Sequence, residues 1–281
     1  MSGALTSGPG TDPEDLTELT EAHRTRERLT KGIFWACMAA IFVFSALQLG
    51  IVPERLLSAA PRVGFIMNIM LPPVIDGPMG VAQAAVESLQ IAILGTVFGI
   101  ILSLVLGFFA ARNVTPIGPL SWGIKAFAGF VRAVPALVWA LLFIIAVGFG
   151  PIPGILALAV NSIGMLAKVY AEAIEEIPAG PIEALRSCGA SRTQIAIQGV
   201  LPSVARTFIA WSVFRFDINI RYSAILGVVG AGGIGWELVR ASQMGAYDRA
   251  LGVTLVIFVM VMAAEFWSQW MRGRVDHAAN V

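Results

Sequence analysis

Long apolar runs free of charge are the feature that most limits what this chain can become. A helix needs about 20 mostly apolar residues to cross a bilayer, and five or six runs of that kind are present. The first, Ile33 to Ile51, has no charged residue and follows Arg24, Arg26, Arg28 and Lys31. A signal peptide shares that basic flank, but its apolar core runs to only about 7–15 residues, so a retained span is expected. The second, Ser88 to Ala110, places Gly95, Gly99, Ser103 and Gly107 at successive four-residue steps. Such a stripe lets another helix backbone approach closely. A third region, Ile117 to Gly148, is too long for one simple span and contains Lys125, Arg132 and Pro135. It divides into an interfacial portion up to about Phe130 and a span from about Ala133, with Arg132 anchoring the membrane boundary. A fourth span is expected from about Ile152 to Tyr170, with Asn161 and Ser162 in its middle; a fifth, oddly polar, from about Thr207 to Val229; and a sixth from about Ala250 to Met271.

Composition agrees. Only 13% of the 281 residues are charged, against about 25% in soluble domains. Lys and Arg number 19 against 18 Asp and Glu, so the basic excess of a nucleic-acid binder is missing. Cys37 and Cys188 are too few for a disulfide framework. No GxxxxGK[ST] loop is present, so the chain carries no visible nucleotide-hydrolysing apparatus. The only His residues, His23 and His277, lie in the tails. No metal-ligand cluster and no nucleophile–base pair emerges, and no catalytic residue is assigned.

Basic residues mark the cytoplasmic side. With the N-terminus inside, the inner segments hold Arg24, Arg26, Arg28, Lys31, Arg112, Lys125, Lys168, Arg186, Arg192, Arg206, Arg272 and Arg274, whereas the outer ones hold only Arg55, Arg62, Arg240 and Arg249. Both termini are therefore expected inside. The sequence divides into a cytoplasmic tail (1–31), a first span with an outer loop (32–84), a core (85–271) and a short cytoplasmic tail (272–281). The extreme N-terminus reads as disordered, and Asp12 before Pro13 caps a short helix through the charged run to Lys31. The Pro-rich segment Val52 to Val86 reads as a loop on the outer surface, its apolar Val63 to Leu71 being too short to cross.

A cytoplasmic loop, residues 171–203, separates the fourth and fifth spans. Pro181 suits the first turn of a helix and Gly189 its C-terminal stop. Ser191 with Gln194 three residues on forms a capping-box pattern, starting a second short helix that ends near Leu201-Pro202. Ile182, Leu185, Ile195 and Ile197 supply apolar contact points, and Glu183, Arg186 and Arg192 polar ones. The spacing of Glu183-Ala184-Leu185, Gly189 and Leu201-Pro202 resembles the EAA loop of bacterial ABC importer permeases. Two positions depart from it: Leu185 stands third in the EAA triplet, and Gly199 stands where the pattern usually has Ile, removing an apolar contact. With ESLQIAILGT (87–96), RAVPALVWALLFIIAVGFGP (132–151), NSIGMLAKVYAEAIEEI (161–177) and FRFDINIRYSAILGVVGAGGIG (214–235), the chain resembles the permease subunit of phosphonate-type importers over roughly residues 85 to 270. The resemblance implies an all-α, polytopic type I importer permease fold in the bacterial cytoplasmic membrane. It also implies a homodimer, two ATPase subunits that carry ATP and Mg and receive the loop as coupling helices, an extracytoplasmic phosphonate-binding protein, and no cofactor on this chain beyond the surrounding lipids.

Arg215, Asp217 and Arg221 fall within seven residues of the fifth span. Each such charge costs about 2.5–3.5 kcal/mol at a helix centre, so the three cannot face lipid. Asp217 and Arg221 are four apart with the acid first, suited to an intrahelical pair. Arg215 shares a face with Asn219 and has no local partner. The functional reading is that Arg215, with Arg221, attracts an anion in a pathway also lined by Asn219 and Tyr222; the packing reading is that it pairs with acids or carbonyls of neighbouring helices. Gly230-Ala231-Gly232-Gly233-Ile234-Gly235 mimics a dinucleotide fingerprint, but no strand precedes it. It reads instead as a turn at membrane depth; the resemblance implies that it lies near the outer gate, with Trp236 to Met244 as a short outer helix available to a binding protein. The alternatives are a permease for another small solute such as methionine, or an ATP-independent transporter.

Overall fold

All described elements are helices, the form in which a single segment satisfies its own backbone inside lipid. The computed structural model describes residues 13–50, 53–115 and 118–277, and the chain divides into two compact units, residues 1–67 and 68–281. The Asp12 cap and the extreme ends of both tails lie outside the described residues.

In the first unit, α1 (Pro13–Gln48) carries the charged run and the first span on one axis. A single Gly32 costs only about 1 kcal/mol in a helix interior, too little to separate them. Its apolar part, Arg26–Gln48, is long enough to cross a membrane and turns Trp35, Phe42 and Leu47 outward within its own unit. The segment expected as a loop, Val52 to Val86, instead contains α2 (Pro53–Met70) and the first turns of α3 (Pro78–Ala110). Proline in a helix's first turn gives up an N–H that would be unbonded there anyway. Pro53 and Pro78 therefore start helices.

The second unit is organised by α3 and α6 (Pro151–Glu175). A Cβ on Gly95 would lie 2.6 Å from Leu158 Cβ, one on Gly99 2.4 Å from Ser162 Cβ, and one on Gly107 2.9 Å from Tyr170 Cβ. The small-residue stripe is thus the seam along which the two backbones touch. Both sets of positions ascend together, so α3 and α6 run parallel. Parallel spans require a crossing between them, and it is made by α4 (Gly118–Ala133) and α5 (Ala136–Val147), bent by 89°. At 1.5 Å per residue these are about 24 and 18 Å long, and neither covers a hydrocarbon core of about 30 Å. The single span expected from Ala133 is therefore one arm of a broken helix. Pro135 causes the break: it lacks an N–H and drives Val134 out of helical geometry.

α9 (Leu201–Gly227) returns antiparallel along α6, and α11 (Tyr247–His277) antiparallel along α9, through Phe216 against Trp267 at 5.5 Å between ring centroids. α11 ends on the side where α3 and α6 end. Four helices, α1, α3, α6 and α11, pass as spans on length and composition, and the bent pair makes a fifth. α9 is the sixth; it buries Arg215 and Asp217 inside the bundle.

The α3–α6 seam predicts opposite outcomes for two Gly→Ala changes. Gly99→Ala forces the backbones apart, an overpacking cost of about 1–3 kcal/mol. Gly123→Ala on α4, with nothing within 4 Å, should be neutral or stabilising by up to about 1 kcal/mol. Thermal unfolding of the detergent-solubilised protein checks both.

Candidate functional site

The cytoplasmic segment begins with α7 (Ala179–Ser187), which stops at Gly189 with φ 79°. Gly189 N–H donates to Arg186 O at 3.0 Å and Ala190 N–H to Leu185 O at 3.1 Å, closing the helix end. The capping box forms reciprocally, with Ser191 N–H donating to Gln194 Oε1 at 2.8 Å and Gln194 N–H to Ser191 Oγ at 3.3 Å. It opens α8 (Arg192–Gln194), which passes through a π-helical stretch, Ile195–Val200, directly into α9. The expected stop at Leu201-Pro202 is therefore absent. Pro202 lacks an N–H and its ring crowds the carbonyl four residues back. That carbonyl, of Gln198, lies in the wider π turn.

Ile182 and Ile195 point inward, joining Tyr170, Ile174, Val204 and Phe208 in one apolar cluster, with the Tyr170 and Phe208 rings 4.2 Å apart. Glu183, Ala184, Arg186, Leu201 and Pro202 face outward. So does Ile197, one of the apolar contact points expected of this segment. The Arg192 side chain lies outside the described residues. The two departures from the EAA pattern prove complementary: Leu185 Cδ1 lies 2.5 Å from where a Gly199 Cβ would be. The contact expected to be missing at Gly199 is supplied from across the hairpin.

A polar strut ties this segment to the bundle. Arg186 Nη2 donates to Asn113 O at 3.5 Å, the outer limit of a hydrogen bond, and Asn113 Nδ2 donates to Ile174 O at 2.7 Å. Next to it, Glu175 accepts from Arg112 N–H at 2.8 Å and from Lys125 Nζ at 2.7 and 2.8 Å. The ends of α3 and α6 are thereby tied to the middle of α4. The 50 residues between Lys125 and Glu175 hide this pair from sequence reading.

At mid-length of the bundle, Arg215 is buried and bonded only to neutral acceptors. Its Nε donates to Ser162 Oγ at 2.9 Å, Nη2 to Asn161 Oδ1, and Nη1 to Met165 Sδ at 3.7 Å. Asn219 Nδ2 donates to the same Ser162 Oγ at 3.0 Å and to Thr96 Oγ1 at 2.8 Å. The shared face expected of Arg215 and Asn219 is real, and it joins α3, α6 and α9. Asn161 and Ser162 were visible as polar residues mid-span; nothing in the sequence singled out Thr96. Asp217 pairs with Arg221 four residues on, as its spacing suggests. Arg221 is half-exposed and Tyr222 exposed; neither hydrogen-bonds to Arg215 or its partners, although Tyr222 lies within electrostatic reach of Arg215.

The glycine-rich turn folds back on α9, where a Gly235 Cβ would lie 1.9 Å from Ala224 O. Gly230, Gly232 and Gly233 have φ of 96°, 77° and 78°, conformations that side-chain-bearing residues rarely adopt. Ser88 Oγ accepts from Ile234 N–H at 2.8 Å, and Gly150 N–H donates to Gly230 O at 3.1 Å. These bonds pin the turn, and the start of α10 (Ile234–Gln243) that follows it, to α3 and to the N-terminus of α6. A cavity of about 410 Å³ opens there, lined by Phe149, Gly150, Gly230, Gly232 and Trp236.

Residues 95–279 match the family described as binding-protein-dependent transport system inner membrane component. The chain belongs to this family. This inner membrane component is 44% identical over 223 residues to the phosphate-import permease protein PhnE of Mycolicibacterium smegmatis, covering 79% of this chain and 42% of that protein. It is 37% identical over 218 residues to the phosphite transport system permease protein PtxC of Stutzerimonas stutzeri, covering 77% and 79%. The chain thus spans less than half of the first relative but most of the second. Its fold matches the MetNI methionine ABC transporter in an inward-facing conformation, with a TM-score of 0.62 and 24% identity over 72% of this chain and 99% of that one. The architecture is therefore that of a type I ABC importer permease, a multi-pass inner-membrane fold.

The Leu185–Gly199 fit makes a sharp prediction. Gly199→Ile alone should clash with Leu185 and destabilise the protein by about 1–3 kcal/mol, the usual cost of overpacking. Leu185→Ala with Gly199→Ile should recover most of it. Thermal unfolding of each detergent-solubilised variant reads the difference.

Proposed function

We propose that this chain is the membrane-spanning subunit of an ATP-driven importer for phosphate, phosphite, phosphonate or a related phosphorus oxyanion. Two copies form the pathway, and two ATPase subunits, which hold the ATP and Mg, dock on the exposed face of α7 around Glu183, Ala184, Arg186 and Gly189. An extracytoplasmic binding protein delivers the anion near α10 and the Gly230–Gly235 turn, which serves as the outer gate. The permease core is 85–271, with the coupling loop at 171–203, and the chain itself catalyses nothing. The names of its relatives support the substrate class.

The observation that carries the reading is Arg215. It is a cation 3% exposed at mid-span, with no carboxylate partner among the described residues. A guanidinium has five N–H donors in a planar fork suited to phosphorus oxygens, and only three find acceptors here. Neutral partners fix the fork without cancelling its charge, leaving it attractive to an anion. Asn219 holds Ser162 in place beneath it.

Transmission follows from packing. Ile182 and Ile195 anchor the docking segment in the cluster that Tyr170 and Phe208 build between α6 and α9. Closure of the ATPases then shifts α6 and α9 together, as rigid levers.

Arg215→Ala should reduce oxyanion uptake at least about tenfold, the worth of one charge-assisted hydrogen bond, with normal membrane levels; wild-type uptake would remove Arg215 from the pathway. Gly189→Val should leave ATP hydrolysis running without uptake, because a β-branched residue is strained at φ 79°. ATPase and transport rates in proteoliposomes separate the two activities.

A further inference from the structure

Arg132, expected at the membrane boundary, lies instead at the middle of the bundle. A Cβ on Gly164 would be 2.8 Å from Arg132 N and 3.2 Å from Ala128 O, so the end of α4 rests against Gly164. Gly164 is 13 residues from the start of α6 at Pro151 and 11 from its end at Glu175. At 1.5 Å per residue that is about 17–20 Å from either end. Arg132 therefore leaves α4 near half depth, at the corner of the 89° bend.

Its side chain is exposed, and among the described residues it has no hydrogen bond or ion pair. A bare cation at that depth costs about 2.5–3.5 kcal/mol against lipid. Irregular backbone such as Val134-Pro135 is tolerated at depth only where it is buried in protein or lines water. Both facts exclude lipid at the corner and leave protein or water as its surroundings.

The same turn of α6 holds Arg215. Its three bonds go to Asn161, Ser162 and Met165, and Gly164 lies within that turn. At 100° per residue, Gly164 is about 60° from Asn161, on the side away from Ser162. The fork of Arg215 thus reaches around α6 toward α4, ending on the half-exposed Asn161. The acids nearest in sequence are engaged elsewhere: Asp217 with Arg221, Glu172 with Lys168 and Glu175 with Lys125. Tyr222 and Arg132 both lie within electrostatic reach of Arg215. Two cations share one turn, with no acid between them.

We infer that Arg132 is the second cation of a mid-membrane oxyanion site, the accessible half of a pair in which Arg215 is the fixed half. The inference rests on the pathway role proposed for Arg215. The ligand class is a tetrahedral oxyanion with at least two charged or partly charged oxygens, one for each guanidinium. The exposed Arg132 meets the anion first, and the bend at Pro135 positions it.

The test uses the full importer in proteoliposomes with saturating, oxyanion-loaded binding protein, and measures uptake of labelled phosphate and of phosphite. R132Q should lower the maximal rate about tenfold, and R132K should recover most of it. Wild-type rates in R132Q alongside loss in R215Q would overturn this inference and leave the Arg215 reading standing; wild-type rates in both would overturn both. A second measurement covers variants that assemble poorly. With Cys37→Ser and Cys188→Ser as background, R132C should react with a membrane-impermeant anionic thiol reagent, and phosphate should slow the reaction. Labelling only by a lipid-soluble reagent, or labelling indifferent to phosphate, would refute the site.

Discussion

Backbone contact between α3 and α6 is the constraint from which the rest of the second unit follows. Hydrocarbon gives no hydrophobic drive for helices to associate, so close packing has to supply it. Gly95, Gly99 and Gly107 allow it by bringing Leu158, Ser162 and Tyr170 to within van der Waals reach of bare α-carbons. The contact is parallel, and that orientation forces an intervening crossing. It also brings Thr96 next to Ser162, and so places the acceptors that Asn219 and Arg215 need. A packing device thereby becomes the foundation of the polar centre.

That centre is economical in charge. Arg221 and Asp217 neutralise each other on one side of α9, whereas Arg215 is surrounded by hydroxyl, amide and thioether groups. In a low-dielectric interior such partners orient a cation without extinguishing its field. Asn219 Oδ1 and Asp217 Oδ1 remain buried without a hydrogen-bond partner, so the network around them is incompletely satisfied.

Features that depend on neighbours in sequence are legible in the sequence alone: the four-residue stripe on α3, the Ser191–Gln194 capping box, the Gly189 stop and the Asp217–Arg221 pair. Each is fixed by helical periodicity or by a backbone angle. Features that depend on meetings across the fold are not. Lys125 and Glu175 carry no mutual signal, and Leu185 looked like a departure until Gly199 was placed beside it. Prolines misled twice. Pro53 and Pro78 start helices where a loop was expected, and Pro202 continues one where an end was expected, because the effect of a missing N–H depends on whether its acceptor was already free. The depth of Arg132 was misread for a related reason: composition cannot distinguish a boundary from the corner of a broken span.

The unbroken helical path from Arg192 to Gly227 has a consequence of its own. Arg215 lies 23 residues along it, about 35 Å at 1.5 Å per residue, on a rod whose cytoplasmic end packs against α7 through Ile195 and Ile182. A twist applied at the cytoplasmic end is carried along that rod to the guanidinium. The π-helical stretch Ile195–Val200 is where the hydrogen-bond ladder is loosest and torsion is most readily absorbed. The stiffness of those six residues therefore governs how much of any rotation applied at the cytoplasmic end would reach the membrane centre, much as a coupling between two shafts sets how faithfully one drives the other.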